Sequence, residues 1–228
     1  MQAYQLIRSR RRTIALEISR EGCLIVRAPM RASRFYLDDL IKRKQAWINQ
    51  HLNKIIQRQQ FLPAKQFVSG EGFLYLGQTY PLRLIQHLVG NKNFCSLQFT
   101  GNKFLLVESA RASARGIWQR WYKTQAQKII SQRVRDLAKQ FDFQYAKIKI
   151  TQAKKRWGSC SPKGNLNFSW RLIMAPLDVI DYVVVHELAH LKIKNHQRVF
   201  WQSVEQILPD YRSCRVWLKQ NEHLLDGF

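Results

Sequence analysis

The chain has 228 residues, 46% hydrophobic and 12% aromatic, with 10 Gly and 6 Pro. That composition excludes a disordered or collagen-like chain and suffices for one sizeable core or two small ones. Lys and Arg number 38 against 15 Asp and Glu, a formal net charge of +23, which attracts polyanions such as nucleic acid, nucleotides or anionic lipid without specifying a fold.

In chain order, residues 4–28 read as two strands: Thr13–Ile18 alternates, Glu21-Gly22 turns, and Cys23–Val26 returns. Ser33 is placed to cap a helix running to about residue 58, with Phe35, Leu37, Ile41, Ile48, Leu52 and Ile55 at near-helical spacing. Phe73–Leu76 and Tyr80–Gln86 form a strand pair about Gly77-Gln78, and Phe94–Thr100 pairs with Phe104–Val107 about Gly101-Asn102. One long helix follows over 112–141, then short strands at Ala146–Ile150 and Leu166–Trp170. The last third is helical, over about 178–194, 197–207 and 211–222. This order predicts an α+β protein. Residues 1–150 carry 27 Lys and Arg against 8 acids, and residues 151–228 carry 11 against 7. The expected division is therefore a basic β-rich N-terminal region, 1–110, and a C-terminal region, 111–228, that carries separate chemistry.

No run approaches the ~18 apolar residues of a membrane span. The opening MQAYQLIRSRRR lacks the apolar stretch of a secretory signal. Cysteines 23, 95, 160 and 214 never form a C-x-x-C pair. The expectation is a cytoplasmic protein with reduced thiols and no membrane partner.

The chemistry concentrates in His186-Glu187-Leu188-Ala189-His190. Residues four apart share a helix face, so His186 and His190 can present imidazoles to one metal ion, while Glu187 lies about 100° round, placed for the water rather than the metal. Leu177, Ile180, Val184, Leu188 and Leu191 supply the core-facing stripe, and Asp178 is expected as N-cap. A chance H-E-x-x-H in a chain with 6 His has a probability of about half a percent. Zinc needs a third protein ligand. His196, six residues after His190, has the second-to-third spacing of H-E-x-x-H-x-x-G-x-x-H, but Ile193 occupies the glycine position. The chain is thus expected to turn at Asn195, which tolerates the left-handed region. Glu205 is the rival ligand, and Cys160 could approach as a thiolate. Glu205 and Asp210 are candidate partners for the ligand imidazoles, and Tyr211 a candidate for stabilising a developing oxyanion.

A second motif, Arg156-Trp157-Gly158-Ser159-Cys160-Ser161 followed by Gly164-Asn165-Leu166-Asn167-Phe168, reads as strand, tight loop and returning strand. A strand edge beside a metal helix offers an extended peptide a place to add. Arg156, Trp157, Ser159, Asn165 and Asn167 are the expected substrate contacts, with the strand at 165–170 holding the peptide.

The segments RWGSCSPKGNLNFSWRLIMAP (156–176) and VIDYVVVHELAHLKIKNHQRVFW (179–201) resemble the YgjP-like metallopeptidase domain family, itself related to the SprT-like and WLM zincins. The resemblance extends to RSRRRTIALEI, GCLIVRAP, YLGQTYPL and PDYRSCRVWL. It implies a zincin-like, minigluzincin-type catalytic half with one zinc or another divalent transition metal per chain. The implied ligands are His186, His190 and His196, with Glu187 as acid/base. The activity implied is hydrolysis of peptide bonds in a protein or peptide substrate. Some members are catalogued as nucleotide pyrophosphatases, which keeps nucleoside triphosphate hydrolysis open, with Lys154, Lys155 and Arg156 to grip phosphate. A third reading is nucleic-acid association through Arg8, Arg10, Arg11, Arg12, Arg27, Arg31, Arg34, Lys42, Arg43 and Lys44, interleaved with Tyr4, Phe35, Tyr36 and Trp47. The sequence leaves the oligomeric state open.

Overall fold

The computed structural model describes residues 3–19, 22–61, 65–86 and 96–226, with side chains omitted for 54–61 and 226. The architecture is α+β. The chain divides into two compact units, Met1–Pro63 and Ala64–Phe228, so the division expected at 110/111 falls inside the second unit.

In the first unit, β1 (Tyr4–Ser9), β2 (Ala15–Ile18) and β3 (Leu24–Pro29) precede α1 (Arg34–Arg43) and α2 (Gln45–Phe61). β3 is central, antiparallel to β2 as the hairpin pattern predicts and parallel to β1. The 4–28 segment thus holds three strands rather than two. Leu24, Val26 and Ala28 alternate onto one buried face and pack with Leu37, Ile41 and Ile48 from the helices. Ser33 Oγ accepts the Tyr36 N–H at 3.2 Å, the cap its type predicts. The single helix expected to residue 58 is broken at Lys44, whose φ of −96° and ψ of 10° leave the helical region. Ile41 and Ile48 are seven apart, so the apolar stripe keeps its phase across the break and periodicity alone does not reveal it.

The second unit holds two sheets. β4 (Gly72–Tyr75), β5 (Gln78–Ile85), β6 (Leu97–Phe99) and β7 (Phe104–Val107) have the order β4-β5-β7-β6. α3 (Ala114–Gln140) packs aromatic side chains against them; Phe73 and Trp118 stack at 3.7 Å between centroids. The expected strand residues Phe94 and Cys95 lie outside the described residues. β8 (Lys147–Thr151), β9 (Gly158–Cys160) and β10 (Asn165–Ser169) form the other sheet, in the order β8-β10-β9. α4 (Leu177–Lys192), α5 (Arg198–Ile207) and α6 (Tyr211–Asp226) complete the unit.

Two contacts orient α4. The β4–β5 turn docks on the segment before it: the Leu76 and Gly77 N–H groups donate to the Ile173 and Met174 carbonyls, both at 3.0 Å. Gly77 has φ +81°, and a Cβ there would sit 2.7 Å from Pro176 Cγ, so only glycine fits the turn and the close approach together. On α3, Arg133 Nε and Nη2 donate to the two Asp181 carboxylate oxygens at 2.6 and 2.5 Å, a bidentate pair. The 72–107 sheet therefore helps seat the chemistry-bearing helix, the physical reason for placing it in the second unit.

Among the described residues, no helix is long and apolar enough to cross a membrane.

Candidate metal centre

α4 is buried almost all round, through Val179, Ile180, Val183, Val184, Leu188 and Ala189. Leu177, assigned to the core stripe by its spacing, is 47% exposed, because it occupies the first turn before α4 enters the core. The N-cap is Pro176, and Asp178 lies within the first turn, its Oδ1 accepting the Val179 N–H at 2.9 Å. At the other end Ile193 is extended, with φ −125° and ψ 110°. Lys194 Nζ donates to the His190 and Leu191 carbonyls at 2.8 and 3.4 Å, a cation on the negative end of the helix. Among the described residues, the non-glycine positions with positive φ are Phe67, Leu76 and Asp142. Asn195 is not left-handed. Extended Ile193 redirects the chain instead, and Asn195 Oδ1 accepts the Gln197 N–H at 3.3 Å.

This reversal carries His196 back onto the helix face. Its Nε2 lies 3.1 Å from His190 Nε2 and 3.1 Å from His186 Nε2. One ligand atom from each imidazole falls within 4.8 Å of the others. His190 Nδ1 is 3.0 Å from the Ile193 carbonyl. A carbonyl only accepts, so Nδ1 carries the proton and Nε2 presents a lone pair to the cluster. The partner of His190 Nδ1 is thus a main-chain oxygen, not Glu205 or Asp210, while buried His186 Nδ1 has no hydrogen-bond partner among the described residues. Phe200, fully buried, sets its ring 4.6–4.9 Å from all three imidazoles. Trp201 stacks on His196 and donates its Nε1–H to the His196 carbonyl at 3.1 Å. Burial and the neighbouring imidazoles push His186 down to about 3 and also lower His196. Three imidazoles with converging nitrogens are a donor set that suits zinc or another divalent transition metal.

Glu187 is buried, and its Oε2 has no hydrogen-bond partner among the described residues. The backbone of β9 lies against it: a Cβ on Gly158 would fall 2.5 Å from Glu187 Oε1 and 2.6 Å from its Cγ, closer than real Cβ atoms approach. Burial raises the Glu187 carboxyl to about 7, against the opposing pull of Arg156. A cavity of about 290 Å³ opens here, walled by Trp157, Gly158, Tyr182, His186, Glu187 and Arg215.

The remaining residues singled out by the sequence separate. Trp157 lines the cavity. Arg156 is exposed and acts on Glu187 through its charge. Ser159 and Asn167 bond to each other, Asn167 Nδ2 donating to Ser159 Oγ at 3.2 Å, and the Asn165 N–H donates to Ser161 Oγ at 3.1 Å. None of these three lines the cavity. β10 is hydrogen-bonded on both sides and cannot accept a further strand; the edges are β8 and β9, and β9 is the one that lies against Glu187. Glu205 pairs with Arg212 at 3.2 Å, outside the imidazole cluster, as is half-buried Cys160. Tyr211 is buried, stacked between Tyr182 and Trp201, which makes it packing for the wall. Arg215 enters the site from α6, a position that helical spacing does not connect to the motif, whereas Tyr182, four residues before His186 on α4, was within reach of that spacing.

A family model described as YgjP-like, metallopeptidase domain, matches residues 12–221, and the chain belongs to that family. No curated protein matches it. Among solved structures, the chain is similar to the metallopeptidase zymogen of Pyrococcus abyssi abylysin. The identity is 21% over 40% of this chain and 93% of that one, with a TM-score of 0.36. The corresponding zymogen of Methanocaldococcus jannaschii jannalysin gives 20% over 40% and 94%, with a TM-score of 0.37.

Proposed function

We propose that this YgjP-like family member is a zinc-dependent peptidase of zincin type, with His186, His190 and His196 holding the metal and Glu187 as general base. The observation that carries the reading is the meeting of three imidazole nitrogens beside a buried carboxylate with an unpartnered oxygen. Zinc bound by three imidazoles lowers the pKa of a coordinated water toward ~7 and polarises a carbonyl. The chain's own groups do the rest. The Ile193 carbonyl holds the His190 tautomer, and Phe200 packs against all three imidazoles and aligns them. Glu187 receives a proton at a carboxylate oxygen and returns it to the leaving amine. A carboxyl raised to about 7 by burial is matched to that task at neutral pH. The edge of β9 offers main-chain groups to an extended peptide beside the cavity.

The test is cleavage of a denatured protein by zinc-loaded wild type and by Glu187→Gln. Loss of about 10²–10⁴-fold with zinc content unchanged is expected. Equal cleavage contradicts the reading, and release of pyrophosphate from nucleoside triphosphates by the same preparation would replace it.

A second reading concerns the first unit, where Phe35 is 85% exposed and Tyr36 and Trp47 are 50% and 37% exposed among Arg31, Arg34, Lys42 and Lys44. Exposed rings among cations suit stacking on single-stranded nucleic acid. With about three phosphate contacts, affinity for an oligonucleotide should fall about 20-fold between roughly 50 and 200 mM salt. A salt-independent affinity contradicts it.

A further inference from the structure

Arg215 stands on α6, 19 residues beyond His196, yet it forms part of the same cavity wall as His186 and Glu187. It also lines a neighbouring cavity of about 390 Å³ with Arg198, Trp201, Tyr211 and Arg212. The guanidinium is held 4.8 Å from the centre of the Trp201 ring, a cation–π contact that fixes its position without occupying its N–H donors. Among the described residues no carboxylate pairs with Arg215, whereas Arg212 is matched by Glu205 at 3.2 Å. Arg215 is exposed, so water screens part of its repulsion from a site suited to a dication. A carboxylate arriving with the substrate relieves that repulsion and meets the planar fork in its preferred bidentate geometry.

We propose that Arg215 is the substrate-carboxylate receptor of this site, selecting peptides that carry a carboxylate next to the bond presented to the imidazole cluster. This rests on the peptidase reading and names its substrate class. The carboxylate has two sources, the free C-terminus of a short peptide or an Asp or Glu side chain, and the guanidinium recognises both.

Three peptidyl hydroxamates of equal length separate them: one with a free C-terminus, one C-terminally amidated with an Asp side chain, and one amidated and neutral. Their affinities are measured by calorimetry on the zinc-loaded full chain. Either carboxylate compound, or both, should bind about 10- to 100-fold more tightly than the neutral one, and the identity of the tighter compound assigns the source. Arg215→Gln should abolish the difference between the carboxylate and neutral compounds, and Arg215→Lys should recover part of it. Equal affinities of all three for wild type, or a difference that survives Arg215→Gln, overturn the assignment and leave the metal site intact. Failure of all three to bind wild type overturns the metal-site reading and this assignment with it.

Discussion

In Met1–Pro63 a three-stranded sheet closes on two helices through six buried aliphatic side chains, Leu24, Val26, Ala28, Leu37, Ile41 and Ile48. That unit carries 13 Lys and Arg against 4 Asp and Glu, and its large exposed side chains include Met30 and Phe35. In Ala64–Phe228 the core is aromatic, built on Phe73, Phe104, Trp118, Tyr122 and Trp170, and the clustered imidazoles and the buried carboxylate belong to it. The contrast teaches that both units are basic, a net +9 in the first and +14 in the second, but that the metal-site residues belong to the second alone. The small unit has a compact aliphatic core. The large unit has the packing needed to bury Glu187 and to bring His196 back to His186 and His190.

The sharpest way to break that contrast is the same substitution in each core. Leu24→Ala in the first unit and Leu166→Ala in the second, both fully buried, should each cost about 2–5 kcal/mol. Thermal unfolding followed by tryptophan fluorescence and by zinc release should show that Leu166→Ala lowers the temperature at which metal is lost and Leu24→Ala does not. Coincident shifts in both signals would make the chain one cooperative block. The next effect sharpens the contrast within the second unit. Gly158→Ala places a methyl in the volume of Glu187, so peptide cleavage should fall by about 10²-fold with zinc content preserved. Undiminished cleavage would mean that β9 does not position the carboxylate.

How much of this was legible follows from distance along the chain. The i, i+4 pair His186 and His190 is local, and His196 lies close enough that a single reversal brings it in, so all three could be named from spacing. The reversal itself was misread, because Asn195 suggested a left-handed turn where extended Ile193 does the work. The break at Lys44 was hidden because the apolar phase from Ile41 to Ile48 is continuous across it. Arg215, the Gly158–Glu187 packing and the docking of Gly77 on Pro176 depend on elements far apart in sequence, and no periodicity encodes them. Asn165 and Asn167 looked like substrate contacts because they are polar in an apolar strand. In the fold, Asn167 Nδ2 donates to Ser159 Oγ on β9, and the Asn165 main-chain N–H donates to Ser161 Oγ in the turn.

The most direct test of the central claim is metal content by mass spectrometry on protein purified without added metal. It should be made on wild type and on His186→Ala, His190→Ala, His196→Ala and Glu205→Ala. The account predicts one zinc per chain in wild type and in Glu205→Ala, and none in the three histidine variants. Zinc retained by His196→Ala, or lost from Glu205→Ala, would contradict it.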